Sequence, residues 1–356
     1  VVVYHLQFGA PVLFSWESAT PFFTDGYLWV DLFFILSGFV ISYSARVDER
    51  AVMRWPDVKS FWVTRFARIY PLHLFCLLML LLVRGAVYMV QLRLNGPAAA
   101  GDVFSGPSMM LFLEQLFLLN AIGLTGMIGW NIPSWSISAE MIAYALFPAL
   151  AALLVRGKLA AIAILGIGAL IFYAWVGSTT GSLDIVKGAA VWRGLAGFSL
   201  GMIIYARRSY FERLPSTTLS FLQLIGVALA LSTLLFGLND VVAVPGFFLI
   251  IASTWPDRGV LARLLMARPL HWLGEISYSI YLNHFWVLAS TNFVLLRALP
   301  RLGLGPYAAH GIQMGIEIAL VLIVSAITYR MVETPARKAM LSRYRARLRP
   351  VAPAPA

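Results

Sequence analysis

Charge is scarce in this sequence. Asp, Glu, Lys and Arg make up 12% of the 356 residues, roughly half the share of a soluble domain. That excludes a disordered chain, an ordinary soluble enzyme and a nucleic-acid-binding domain. Cysteine is nearly absent. The single Cys76 excludes an internal disulfide and, inside the apolar run 74–83, reads as a small core residue. The five histidines are scattered and none is spaced with Cys or acids as a metal set requires, so no metal is expected. No internal repeat appears at a fixed period, which weakens a transporter built from inverted repeats. The start, Val1-Val2-Val3-Tyr4-His5, lacks the basic region of a signal peptide. It reads as a first helix entered part-way along, with residues upstream of Val1 missing.

What is abundant is apolar length. The sequence is 60% hydrophobic, with a mean hydropathy of +0.81. The apolar residues come in runs of about 20, the length of a membrane-spanning helix, and not in the ~10-residue alternating segments of a barrel. Eleven runs qualify: 1–15 (partial), 26–45, 70–92, 109–128, 134–155, 158–178, 186–206, 217–237, 239–255, 270–297 and 306–329. Base exceeds acid, 27 Lys+Arg against 16 Asp+Glu. The basic residues cluster in 46–69, 207–216, 256–269 and the end after Tyr329, all expected to be cytoplasmic by the positive-inside rule. An even number of crossings must separate 46–69 from 207–216. Run 109–128 breaks that parity, and it holds Glu114 and Asn120 before a Gly-rich stretch. It is therefore expected to be re-entrant or interfacial. The fold expected is all-α, a polytopic membrane helix bundle of about ten transmembrane helices plus that short helix. Both termini are cytoplasmic. Residues 1–335 form one transmembrane domain, and 336–356 a basic, Pro/Ala-rich cytoplasmic tail expected to end in disorder.

Ionisable residues at membrane depth cost several kcal/mol, so each is a functional candidate. His5, Asp31, Glu140 and Glu317 gather in the expected outer half, with Arg65 and Arg68 at the inner rim. Ser136, Glu140 and Tyr144 are four apart and share a helical face. Ser277, Tyr281 and His284 form a second stripe, and His310, Gln313 and Glu317 a third. Each has a plainer reading. Arg193 pairs with Glu140 or Asp31. Arg84 snorkels outward. Glu275 and Glu333 balance nearby arginines, and Phe22, Phe23, Tyr27 and Trp29 form an interface belt. On these residues alone, a proton or ion pathway stands beside an enzyme.

Five segments change the balance: Tyr4-His5-Leu6; Trp29-Val30-Asp31 through Leu36-Ser37-Gly38-Phe39; Arg65-Phe66-Ala67-Arg68-Ile69-Tyr70-Pro71; Trp135-Ser136-Ile137-Ser138-Ala139-Glu140; and Leu273-Gly274-Glu275-Ile276-Ser277-Tyr278 through Tyr281-Leu282-Asn283-His284. In this order, over nearly the whole chain, they resemble the bacterial acyltransferase-3 family of integral membrane O-acyltransferases. The resemblance implies transfer of an acyl group, most commonly acetyl, from acyl-CoA to a hydroxyl. The acceptor would be a cell-surface glycan, glycolipid or similar molecule, in the bacterial inner (cytoplasmic) membrane. It assigns His5 as general base and Arg65 and Arg68 to the donor. Trp135, Ser136 and Glu140 match a further family segment, as does His284. Met141 departs from it, standing where many relatives carry a second polar residue. The stretch after Tyr329 is too short for the soluble hydrolase-like domain of some relatives.

The chemistry is consistent with these assignments. An imidazole takes the proton of an attacking alcohol, and a carboxylate, Glu140 first and Asp31 second, would orient it. Tyr281, Ser136, Trp135 and His284 are available as oxyanion donors, with Arg193 in support. The arginine fork suits phosphate. A covalent acyl-histidine is the alternative course. The alternative function is a transporter or flippase of a glycan or lipid using the same buried polar residues, and a further one is a scaffold of a polysaccharide assembly complex.

Overall fold

The computed structural model describes residues 1–6, 21–47, 52–102, 109–127 and 129–348. Among them every regular element is helical. The main helices are α1 Val2–Leu6, α2 Trp29–Ala45, α3 Trp55–Asp102, α4 Met109–Leu116, α5 Ser134–Arg156, α6 Lys158–Thr179, α7 Ala190–Glu212, α8 Ser216–Phe236, α9 Ala243–Thr254, α10 Arg268–Glu275, α11 Ser277–Ala298, α12 Pro306–Thr328 and α13 Thr334–Leu348. Short turns at Pro21–Thr24, Gly26–Leu28 and Val260–Leu265 connect some of them. Six helical stretches among the described residues have the length and apolar composition to cross a membrane: Gly26–Ala45, Trp55–Pro97, Ser134–Arg156, Lys158–Thr179, Ser216–Phe236 and Tyr307–Leu348. The chain is a multi-pass membrane protein. Most of the first apolar run, Arg50, Arg349 and the Pro/Ala-rich end lie outside the described residues.

Three expected boundaries move. The connection 46–69 is not a loop: α3 begins at Trp55 and runs unbroken past Arg68 to Gly96, whose φ of 83° interrupts it just before Pro97. The 270–297 run is two helices, parted at Ile276. The last apolar run passes through a π-helical turn, Tyr329–Glu333, into α13. That turn brings the late acid Glu333 into the interior, where it is buried.

Segment 109–128 behaves as the charge parity required. The eight residues of α4 rise about 12 Å, well short of the ~30 Å hydrocarbon core. The irregular backbone that follows is satisfied by protein. Glu114 Oε1 accepts the Thr125 N–H at 2.6 Å, and Gln115 Oε1 accepts that of Asn131 at 2.9 Å. Ser138 donates to the Leu118 carbonyl at 2.6 Å, and the His73 ring bonds the Gln115 carbonyl at 2.8 Å. Such backbone is tolerated at membrane depth when buried this way.

The tightest joint is α2 against α7, where the backbones touch. A Cβ added to Gly38 would lie 2.0 Å from the Phe198 carbonyl oxygen, and one on Gly201 2.0 Å from that of Ile35. Gly197-x-x-x-Gly201 is the small-residue spacing that permits such approach. Gly201→Leu is expected to destabilise by about 1–3 kcal/mol through overpacking. A lower melting temperature of the detergent-solubilised protein checks this; an unchanged one would show that the helices separate freely. This joint aligns Asp31 with Arg193, and α5 packs on α7 from another side.

Candidate active site

A cavity of about 290 Å³ opens between α2, α3, α5 and α11. Arg65 and Arg68 stand on it from α3, three residues apart and so on one helical face. Ser136, Glu140 and Tyr144 line it from α5, and Ser277, Tyr278 and Tyr281 from α11. Ser37 joins them from α2, amid apolar walls that include Val30, Phe33 and Ile137. The first stripe, and Ser277 and Tyr281 of the second, thus face one space.

Glu140 Oε1 accepts from Ser37 and from Tyr144, each at 2.5 Å. Glu140 therefore shares the cavity with the arginines instead of standing apart from them, which corrects the expected two-ended arrangement. It is also not the group seen beside His5. Asp31 is engaged elsewhere. Its carboxylate takes Arg193 Nε at 3.1 and 3.2 Å and Nη2 at 2.6 Å. Arg193 also donates to the Tyr27 carbonyl at 3.1 Å and lies over the Trp135 ring, 5.0 Å from its centroid. Both partners are fully buried. Nearby, in the connection 180–189, burial raises the Asp184 carboxyl above its ordinary pKa, with Arg193 opposing. Arg84 lies over the Trp130 ring, 5.3 Å from its centroid.

His5 meets His284. His5 Nδ1 is 3.2 Å from His284 Nε2 and 3.0 Å from the Val1 carbonyl. His284 Nδ1 is 3.3 Å from the Ile280 carbonyl. A carbonyl only accepts, so each bonded Nδ1 must carry hydrogen. His284 Nε2 is then the acceptor for His5, and the lone pair of a neutral His5 lies on Nε2. The polar network therefore gives the His5 ring a defined tautomer.

Neither histidine lines the cavity. Tyr281, one helical turn before His284, stands at its end, its hydroxyl 2.6 Å from Ser136 Oγ and 2.9 Å from the Pro133 carbonyl. At 1.5 Å per residue, His284 is about 4.5 Å further along the α11 axis.

Two contributors escaped the sequence reading. Tyr278 donates to the Ile69 carbonyl at 2.8 Å, and its ring lies under Arg68, 5.4 Å from the guanidinium carbon. Glu333, expected only to balance charge, bonds Arg68 and accepts from Ser279 at 2.6 Å. Its sole cue was an acid two residues before Pro335 at the end of the last apolar run. The third stripe is structural: Gln313 donates to Glu317 at 3.0 Å and to Asn292 at 2.6 Å, holding α12 to α11. Cys76 is a buried core residue whose thiol donates to Asn283 at 3.3 Å.

The fold is a polytopic helix bundle with an arginine-rimmed cavity and, one helical turn past its end, a histidine pair. The chain belongs to the acyltransferase-3 family: the family model described as "Acyltransferase domain" matches residues 1–329. Among characterised proteins, the chain is similar to the peptidoglycan O-acetyltransferase OatA of Listeria monocytogenes, 24% identical over 95% of this chain and 54% of that one. The acyltransferase MdmB of Streptomyces mycarofaciens is 28% identical over 93% and 85%. The O-acetyltransferase OatA of Staphylococcus aureus is 24% identical over 95% and 55%. The chain thus spans about half the length of the OatA relatives and most of MdmB. No solved structure matches it.

Proposed function

We propose that this protein is an acyl-CoA-dependent O-acyltransferase. It moves an acyl group, acetyl in the simplest case, to a hydroxyl of a cell-surface glycan, glycolipid or similar acceptor. The observation that carries the reading is the placement of Arg65 and Arg68 on one cavity with Tyr281 and Ser136, and of the His284–His5 pair one helical turn beyond Tyr281. The names of the OatA relatives support a glycan acceptor and acetyl as the group moved. We place the protein in a bacterial cytoplasmic membrane, both termini inside, with the arginines facing the cytoplasm.

The donor's phosphates engage the arginines, and its flexible arm carries the thioester along the cavity. Movement of Tyr281 away from Ser136 lets the acyl carbonyl reach the histidines. Neutral His5 takes the acceptor hydroxyl's proton on Nε2 as the oxygen attacks the thioester carbon. The tetrahedral intermediate collapses with loss of the C–S bond, and the imidazolium returns the proton to the departing thiolate. Ester and coenzyme A thiol leave, with His5 neutral again. The freed Tyr281 hydroxyl and Ser136 are the donors positioned to hold the oxyanion. Trp135 and the Asp31–Arg193 pair keep α2, α5 and α7 in place around them.

The test is thiol release from acetyl-CoA by the protein in lipid nanodiscs, with a glycan oligomer as acceptor. Each charge-assisted contact is worth about 1.5–3 kcal/mol. The Arg65→Gln/Arg68→Gln variant is therefore expected to raise KM for acetyl-CoA by about 10-fold or more, with kcat changed less. If the wild type neither binds nor cleaves any of several acyl-CoAs, the donor assignment fails and transport of a glycan or lipid becomes the better reading.

A further inference from the structure

Arg65 is left electrically open where Arg68 is not. Arg68 is bonded by the buried Glu333. The contacts of Arg65 are the Ser44 hydroxyl at 3.4 Å and the Phe61 ring at 5.6 Å, and neither carries charge. Its Nε is buried with no hydrogen-bond partner. Glu140 is within electrostatic reach, but its Oε1 is already engaged by Ser37 and Tyr144. A second cation lies within electrostatic reach. α13 packs against α3, and Arg337 lies four residues beyond Glu333, on the same helical face. Arg65 lies three residues before Arg68. Pairing Arg68 with Glu333 across the two helices brings Arg65 opposite Arg337, and the two guanidinium groups are within electrostatic reach of each other. Arg337 is half-buried, whereas the adjacent Lys338 is exposed. Among the described residues Arg337 makes no ion pair with any carboxylate. Two cations within reach of each other, one with a buried orphan N–H, are a mutual cost unless an anion sits between them.

We propose that Arg337 and Arg65 together form a phosphate-binding site at the mouth of the cavity, occupied by the terminal phosphate monoester of the acyl donor. The proposal rests on the acyl-CoA reading above. It assigns a task to the last helix: α13 carries the outermost cation that grips the donor's nucleotide end, while Arg68, oriented by Glu333 and Tyr278, stands deeper. The ligand chemistry is a phosphate ester, which a lipid headgroup also presents, so the test separates the two sources.

Binding of acetyl-CoA and of 3′-dephospho-acetyl-CoA is measured for the wild type, Arg337→Gln and Arg337→Lys in nanodiscs of neutral lipid. The same measurements are repeated in discs containing phosphatidylglycerol. Wild type is expected to bind acetyl-CoA at least 10-fold more tightly than the dephospho analogue. Arg337→Gln is expected to abolish most of that difference by weakening acetyl-CoA alone, with Arg337→Lys intermediate and all melting temperatures alike. If Arg337→Gln weakens both ligands equally, or neither, the site is not for that phosphate and the proposal is overturned. It is also overturned if phosphatidylglycerol competes with acetyl-CoA in the wild type and Arg337→Gln removes only that competition, because the phosphate is then a lipid's. Wild type that binds neither nucleotide in any disc would instead remove the donor reading itself, and this proposal with it.

Discussion

His5→Gln is expected to cut acyl transfer by about 10²–10⁴-fold, the ordinary contribution of a general base, while acetyl-CoA binds as tightly as before. The division follows from position. His5 lies beyond Tyr281, on the side away from Arg65 and Arg68, the arginines proposed to hold the donor's charge. The tautomer argument adds a second readout. His284 shares the His5 Nδ1–H with the Val1 carbonyl, so in the proposed mechanism it helps hold the ring and its tautomer without itself meeting the hydroxyl. His284→Gln retains a side-chain acceptor for that hydrogen and should keep more activity than His284→Leu, which has none. Rates of transfer to a glycan oligomer at saturating acetyl-CoA, with binding read in the same discs, check both. Full activity in His5→Gln would remove the base from His5. Equal losses in the two His284 variants would leave that residue a packing role only.

The second large effect is on stability. Arg193→Met leaves Asp31 fully buried without the partner that satisfies both its oxygens. Breaking a buried pair on one side costs about 3–5 kcal/mol, a large part of the stability of most proteins. The folded yield and melting temperature in detergent are expected to collapse. The double variant Arg193→Met/Asp31→Leu removes the stranded charge together with its partner and should recover much of the loss, since apolar replacement of a whole buried pair is often neutral. A double variant as unstable as the single one would show that the Arg193 bonds to the Tyr27 and Ile185 carbonyls matter more than the ion pair.

Much of this site was legible as helical spacing. Ser136, Glu140 and Tyr144, at intervals of four, do share the cavity wall, and Ser277 and Tyr281 face them from α11 with His284 a turn beyond. Spacing within a helix is a local property, set by 3.6 residues per turn, so it survives whatever the tertiary arrangement is. The parity of basic clusters similarly marked 109–128 as non-spanning, because the cost of placing charge across a membrane acts on each segment. The ten-span count went further than the six stretches that meet the length and composition of a span among the described residues.

Pairings between helices were a different matter. Nothing local in the sequence says that Asp31 takes Arg193, that Glu140 turns to Ser37, or that His5 meets a residue 279 positions away. Those choices depend on how close the backbones come, and Gly38 and Gly201 let α2 and α7 approach until Asp31 and Arg193 meet. Glu333 was hidden for a related reason. In an ordinary α-helical continuation of α12 its direction would differ, and the π-helical turn shifts the register by one residue, toward Arg68. The sequence by itself determined the class of protein, a helical membrane bundle with buried polar stripes, because hydrophobic length and helical period act residue by residue. Only the tertiary structure decided which charges neutralise one another and which, like Arg65, make no ion pair among the described residues, because that is settled by helices distant in sequence competing for the same few partners in a medium with no water to spare.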